Sequence, residues 1–217
     1  MSVSNLQAVL WDFGGVLTSS PFEAFNRYEA ERGLPENFIR GVNAVNGDTN
    51  AWAQFERNDI DAATFDGLFR KEALARGHDV SGADVLALLS GTIRQPVVRA
   101  LKTCKAHVKV GCITNNVKTG KGAGMAGSAD KAQAVADVIA LFDHVIESSK
   151  AGLRKPDPRI YALMCEALDV TPSECIYIDD LGINLKPARA MGMTTIKAVS
   201  EAQILADLGT ATGFDFD

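Results

Sequence analysis

Apolar residues fall into two textures along the chain. Short runs centred on apolar residues occur at 8–13, 108–114, 142–147, 175–180 and 193–197. This is the form expected of strands covered on both faces of a parallel sheet. Between them, apolar residues return at helical spacing. Pro96 opens one helix over about 96–106, with Val97, Val98 and Leu101 inward. Ala132, Val135, Val138, Ile139 and Leu141 mark a second, and Asp157-Pro158 starts a third with Ile160, Tyr161, Met164 and Leu168 toward the core. Thr171-Pro172-Ser173-Glu174 reads as a capping signature before the fourth run. A helix after 180 stops at Gly192, and a last helix begins near 200.

From Pro21 to about Ile93 the pattern is helical throughout. Phe22, Phe25 and Tyr28 recur at threes until Gly33-Leu34-Pro35 stops the turn. Phe38, Ile39 and Val42 predict a second helix, Trp52 and Phe55 a third. Phe65, Leu68, Phe69 and Ala73 share a face of a fourth, capped by Asp61, and Val85, Leu86, Leu88 and Leu89 sit in a fifth. The expected fold class is therefore α/β: a Rossmann-like parallel sheet with helices on both faces, plus an inserted α-helical cap. The expected division is 1–18 and 94–217 for the α/β core and 19–93 for the cap.

Composition narrows the class of partner. A net charge of −5 and a pI near 5.3 lack the basic patch of a nucleic-acid binder. No apolar run approaches a membrane span and no signal peptide opens the chain. Cys104, Cys112, Cys165 and Cys175 match no zinc or CxxC spacing and read as buried thiols, so a cytoplasmic protein is expected, monomer or homodimer. Gly122 to Gly127 spells GxGxxG, but 115–121 separate it from the strand that a dinucleotide site requires. A flexible loop is expected there instead. His78, His107 and His144 are scattered, which argues against a Ser-His-Asp hydrolase.

Four strand ends or loops carry the candidate chemistry: Asp12; Thr114-Asn115; Lys155-Pro156; and Asp179-Asp180. Each alone has a plain structural reading, as a helix cap, a strand end or a solvated lysine. Together they project to one edge of a parallel sheet, where ligands bind. The set combines a nucleophile, a hydroxyl donor, a fixed cation and a pair of acids. That suits phosphoryl transfer to Asp12, with Mg²⁺ held by Asp12 and Asp180, Lys155 and Thr114 on the phosphoryl oxygens, and Asn115 beside them.

These motifs, in this order, resemble the haloacid dehalogenase (HAD) superfamily, with the insert where its α-helical cap stands. Ile146-Glu147-Ser148, Lys155-Pro156-Asp157-Pro158 with Ile160-Tyr161, and Asn184-Leu185-Lys186-Pro187 are similar to a phosphatase-like subgroup that includes the N-terminal domain of soluble epoxide hydrolase. The resemblance implies a Mg²⁺-dependent hydrolase acting on a small phosphorylated molecule. It implies Asp12 as nucleophile and metal ligand, with the Gly14 carbonyl and Asp180 as further ligands and Asp179 behind them or an occasional ligand. It also implies an acid/base Asp two residues after the nucleophile, where this chain has Gly14. That departure keeps a weak or inactive phospho-ligand binder in view as an alternative, and 2-haloacid dehalogenation as a third reading. Trp52, Phe55, Glu56 and Arg57 are candidates to line a substrate pocket, though cap core is the commoner role for such aromatics.

Overall fold

The computed structural model describes residues 5–89, 91–116 and 129–216. Its strands are β1 (Ala8–Trp11), β2 (Lys109–Thr114), β3 (His144–Glu147), β4 (Cys175–Asp179) and β5 (Thr194–Lys197). They form one parallel sheet in the order β3-β2-β1-β4-β5. The helices are α1 (Pro21–Glu31), α2 (Phe38–Ala44), α3 (Ala51–Glu56), α4 (Ala62–Leu74), α5 (Gly82–Ala87), α6 (Gln95–Lys105), α7 (Ala129–Ile139), α8 (Ser148–Ala151), α9 (Pro158–Leu168), α10 (Gly182–Ala190) and α11 (Glu201–Thr212). The GxGxxG segment lies outside the described residues.

The apolar runs explain the layering. Val9, Trp11, Val110, Cys112, Ile176 and Ile178 face Val97, Leu101, Ile204 and Leu208 of α6 and α11. Ala8, Leu10, Ile113, Cys175 and Tyr177 face Ile160, Tyr161, Met164, Leu185 and Ala188 of α9 and α10. Alternate residues of one strand thus feed two cores, so the run must be apolar throughout. Thr171-Pro172-Ser173-Glu174 forms a single 3-10 turn, with Thr171 N–H donating to the Glu174 carboxylate at 2.8 Å. The four-residue α8 was not expected; its run is too short to leave a helical period.

The chain leaves and re-enters the sheet at one place. Thr18 and Ile93 form an antiparallel bridge, flanked by Ser19 N–H to Thr92 O at 2.8 Å and Arg94 N–H to Leu17 O at 2.8 Å. Between Thr18 and Ile93, α1 to α5 enclose an apolar cluster of their own, with Phe25, Ile39, Phe55, Phe65 and Phe69 at its centre. Buried Glu29 accepts from Asn37 N–H and Ile39 N–H at the start of α2. Such free amides would otherwise go unpaired. Among the described residues no helix is long and apolar enough to cross a membrane.

Candidate active site

In this strand order β2 lies on one side of β1 and β4 on the other, so connections depart in opposite directions and a crevice opens beyond their carboxyl ends. The candidate residues gather there. Trp11 pairs with Ile178, and Asp12 N–H donates to Ile178 O at 2.8 Å. One step further on, Asp12 and Asp179 stand side by side. Two carboxylates at that separation repel unless a cation intervenes. Lys155 Nζ intervenes: it lies 2.8 Å from Asp12 Oδ1 and 2.8 Å from Asp179 Oδ2. Its side chain is 1% exposed, unusual for a lysine and tolerable only with both partners. Burial works against the Lys155 charge, yet Asp12 and Asp179 hold its pKa above the ordinary range.

Asp179 is wholly buried and its oxygens are occupied. It accepts from Lys155, from the Tyr177 hydroxyl, from Asn184 Nδ2 at 3.1 Å to each oxygen, and from Leu181 N–H at 2.8 Å. Burial, and then Asp179, push Tyr177 well above its usual pKa, so the phenol stays a donor. Asp12 accepts from Phe13 N–H at 2.7 Å on the same Oδ1 that meets Lys155. Burial raises the Asp12 pKa, Lys155 lowers it, and Asp179 and Asp180 raise it again.

Asp180 completes the group. Burial and then Asp179 push its carboxyl up to about 6. Its carboxylate lies against Gly15, where a Cβ would come within 2.2 Å of Oδ2, and Gly15 has a φ of +77°. Only glycine fits there on both counts. Ser20, the N-cap of α1, places its hydroxyl 3.4 Å from Asp180 Oδ2. Arg94 Nη1 donates to Gly15 O at 3.0 Å and so holds the turn after the nucleophile.

Asp12, Asp179 and Asp180 offer oxygens within 4.8 Å of one another. Three carboxylates against one ammonium leave a surplus of two negative charges in a buried site. All the side-chain donors are hard oxygens, the set that Mg²⁺ prefers. The residues therefore fit a divalent cation by charge and by chemistry.

Thr114 ends β2 buried, one strand from Asp12. Asn115 is at the site, but its amide serves the Lys155 main chain: Oδ1 accepts from Lys155 N–H at 2.8 Å and Nδ2 donates to Lys155 O at 3.1 Å. At Gly14 a Cβ would meet nothing within 4 Å. The sequence reading did not single out Tyr177 or Arg94. The signal for Tyr177 was its place two residues before Asp179, which puts both on one face of the strand. Gly15 was visible as one of two glycines after Asp12 that let backbone approach closely; Arg94 had no comparable signal.

Known proteins resemble this chain in sequence and in fold. The model of the haloacid dehalogenase-like hydrolases matches residues 6–192. Mouse bifunctional epoxide hydrolase 2 is 30% identical over 97% of this chain, which spans 40% of that protein. Mouse acyl-CoA dehydrogenase family member 10 is 31% identical over 96% of the chain and 19% of its own length. The chain thus covers less than half of these relatives. Phosphatase MT3486 of Mycobacterium tuberculosis is 36% identical over 40% of the chain and 36% of its own length. The HAD family enzyme BT-2542 of Bacteroides thetaiotaomicron, solved with magnesium and inorganic phosphate, superposes with a TM-score of 0.60 at 21% identity. That match covers 90% of this chain and 96% of the other. By fold and site the protein is a doubly wound α/β protein with a carboxylate-rich crevice at the switch point. It belongs to the haloacid dehalogenase-like hydrolase family.

Proposed function

We propose that this chain is a Mg²⁺-dependent phosphatase of a small phosphorylated metabolite, working through an aspartyl phosphate on Asp12. The observation that carries this reading is Lys155 Nζ, buried and 2.8 Å from both Asp12 and Asp179, with Asp180 alongside. Among the described residues, both hydrogen bonds to Asp12 fall on Oδ1. Oδ2 is therefore the attacking oxygen. It forms the bond to phosphorus while the ester oxygen leaves with the bonding pair and takes a proton from water or from the substrate. Lys155 and the Thr114 hydroxyl meet the phosphoryl oxygens. Water then cleaves the acyl phosphate and frees Asp12. Asp12, the Gly14 carbonyl and Asp180 would hold Mg²⁺, while Asp179 fixes Lys155. When bound, the ion supplies positive charge for the phosphoryl oxygens and relieves repulsion among the carboxylates. Residues 19–93 act as a cap domain on the core formed by 1–18 and 94–217. The antiparallel bridge between Thr18 and Ile93 supports this division. Four free buried thiols suit a cytoplasmic protein.

A second reading, favoured by Gly14, is a weak enzyme that chiefly binds phosphorylated ligands. Metal-free dehalogenation is disfavoured by the acid pair Asp179-Asp180, which with Asp12 could hold a cation. The deciding experiment is a screen of phosphorylated metabolites and an aryl phosphate with Mg²⁺, wild type beside Asp12→Asn. Turnover that needs both Mg²⁺ and Asp12 supports the phosphatase. Phosphate release that survives Asp12→Asn and chelation overturns it. Tight binding of the esters without release supports the second reading, and halide release without Mg²⁺ supports the third.

A further inference from the structure

One residue of the helical insert reaches two of the sheet's functional loops. Glu56, at the end of α3, is 6% exposed. Its main-chain oxygen accepts from Ser148 Oγ at 2.8 Å. Ser148 is fully buried, and its hydroxyl also meets Asn116 N–H at 3.0 Å and Asn116 O at 3.1 Å, just past Thr114 and Asn115. The Glu56 side chain turns to the other loop. Its Oε2 accepts from Arg154 Nε at 2.7 Å and Arg154 Nη2 at 2.6 Å. The third guanidinium nitrogen, Nη1, donates to Gly47 O of the insert at 2.9 Å. Arg154 is bonded to Lys155, whose main chain Asn115 clamps from the other side.

We propose that Glu56 and Arg154 are positioning residues: they fasten the insert to the 148–155 segment and so hold Lys155 in the geometry that Asp12 and Asp179 require. The inference rests on the phosphatase reading for its effect on rate, but not for its structural part. A charge pair with one partner buried and the other 19% exposed loses little to solvent screening. Removing one partner leaves the other without compensation. Arg is suited to the position because its planar fork satisfies a carboxylate and a carbonyl together, which an ammonium does not. Neither residue touches the reacting atoms. Their influence is on where Lys155 sits, and displacements well under an ångström in such a group are felt in the rate.

The test combines amide exchange with a kinetic cycle on Arg154→Met, Glu56→Gln and the double variant. In Arg154→Met, exchange at 51–57 and 148–155 is expected to quicken about tenfold or more, while β1 and β4 stay protected. Unchanged exchange at both segments overturns the fastening. With Mg²⁺ and an aryl phosphate, Arg154→Met is expected to lower kcat about tenfold with KM shifted less than about threefold. Glu56→Gln, which keeps an acceptor, loses less. The double variant loses no more than Arg154→Met, because the two act as one unit. Losses that multiply, or a kcat equal to wild type, overturn the positioning role. Should Arg154→Met fail to fold, Arg154→Lys takes its place. It keeps the charge but not the fork, and is expected to fall between wild type and Glu56→Gln/Arg154→Met in exchange and kcat. Wild-type exchange and kcat in Arg154→Lys overturn the proposal. If wild type itself lacks phosphatase activity, the exchange data still decide the fastening, so failure of the two ideas is distinguishable.

Discussion

Gly14 and Gly15 are neighbours in the chain and opposites in the fold. At Gly14 there is open space and no left-handed φ, so a side chain fits. Gly14→Asp is therefore expected to fold normally and to place a carboxyl near the leaving oxygen. The expected gain in kcat for alkyl phosphates is about 10²-fold, the lower end of general acid–base help. Steady-state rates of wild type and Gly14→Asp check it, and equal rates would mean that another group already supplies the proton. At Gly15 the φ is +77° and a Cβ would strike Asp180 Oδ2 at 2.2 Å. Gly15→Ala must push Asp180 away. Calorimetric titration is expected to show Mg²⁺ affinity lowered about tenfold or more. Unaltered affinity would remove Asp180 from the metal site.

At the scale of elements, the site depends on strand register. Trp11 ends β1 and pairs with both Cys112 and Ile178, so Asp12 comes level with Asp179 at the end of β4, while β2 runs on two residues past Cys112 to Thr114. Gly111 shows how tightly this sheet is packed. A Cβ there would lie 2.6 Å from Met164 Sδ of α9 and 3.0 Å from a Leu10 methyl. Gly111→Ala is expected to cost about 1–3 kcal/mol by overpacking. Urea denaturation followed by circular dichroism would measure the loss. The activity of the folded fraction should hold near the wild-type level, because residue 111 lies three positions before the end of β2. Loss of activity out of proportion to stability would mean that strain in β2 reaches Thr114.

At the scale of the molecule, two cores sandwich the sheet and a third fills the insert. Every cysteine lies in the buried part of this packing, unpaired. Burial pushes the Cys104 thiol up to about 12, and Cys112 is raised from its ordinary value by the same cause. Both therefore remain protonated thiols at neutral and mildly alkaline pH. An aromatic disulfide reagent at pH 8 is expected to label none of the four in the native protein and all four in denaturant. Rapid native labelling of Cys104 or Cys112 would show that the core opens far more readily than its packing implies.

Much of this was legible in one dimension. Apolar runs specified the central strands β1, β2 and β4, where a residue pointing to either side meets a core, while the edge strands β3 and β5 keep exposed polar residues. Helical spacing between Phe22 and Leu89 specified the insert, since one face per helix is all that a small bundle buries. Asp12, Thr114, Asp179 and Asp180 were candidates in one dimension because a polar residue at the end of a buried strand is costly without a task, and Lys155, in a loop, became one only in their company. What only the tertiary structure decided is how those residues share the work. Whether Asp179 faces a metal or a lysine depends on strand register and on the hydrogen bonds it accepts from Tyr177 and Asn184. That Asn115 serves the Lys155 backbone, that Gly15 yields its space to Asp180 and that Glu56 meets Arg154 are all contacts between segments far apart in sequence. Periodicity records which face of an element is buried, but not which atom lies opposite.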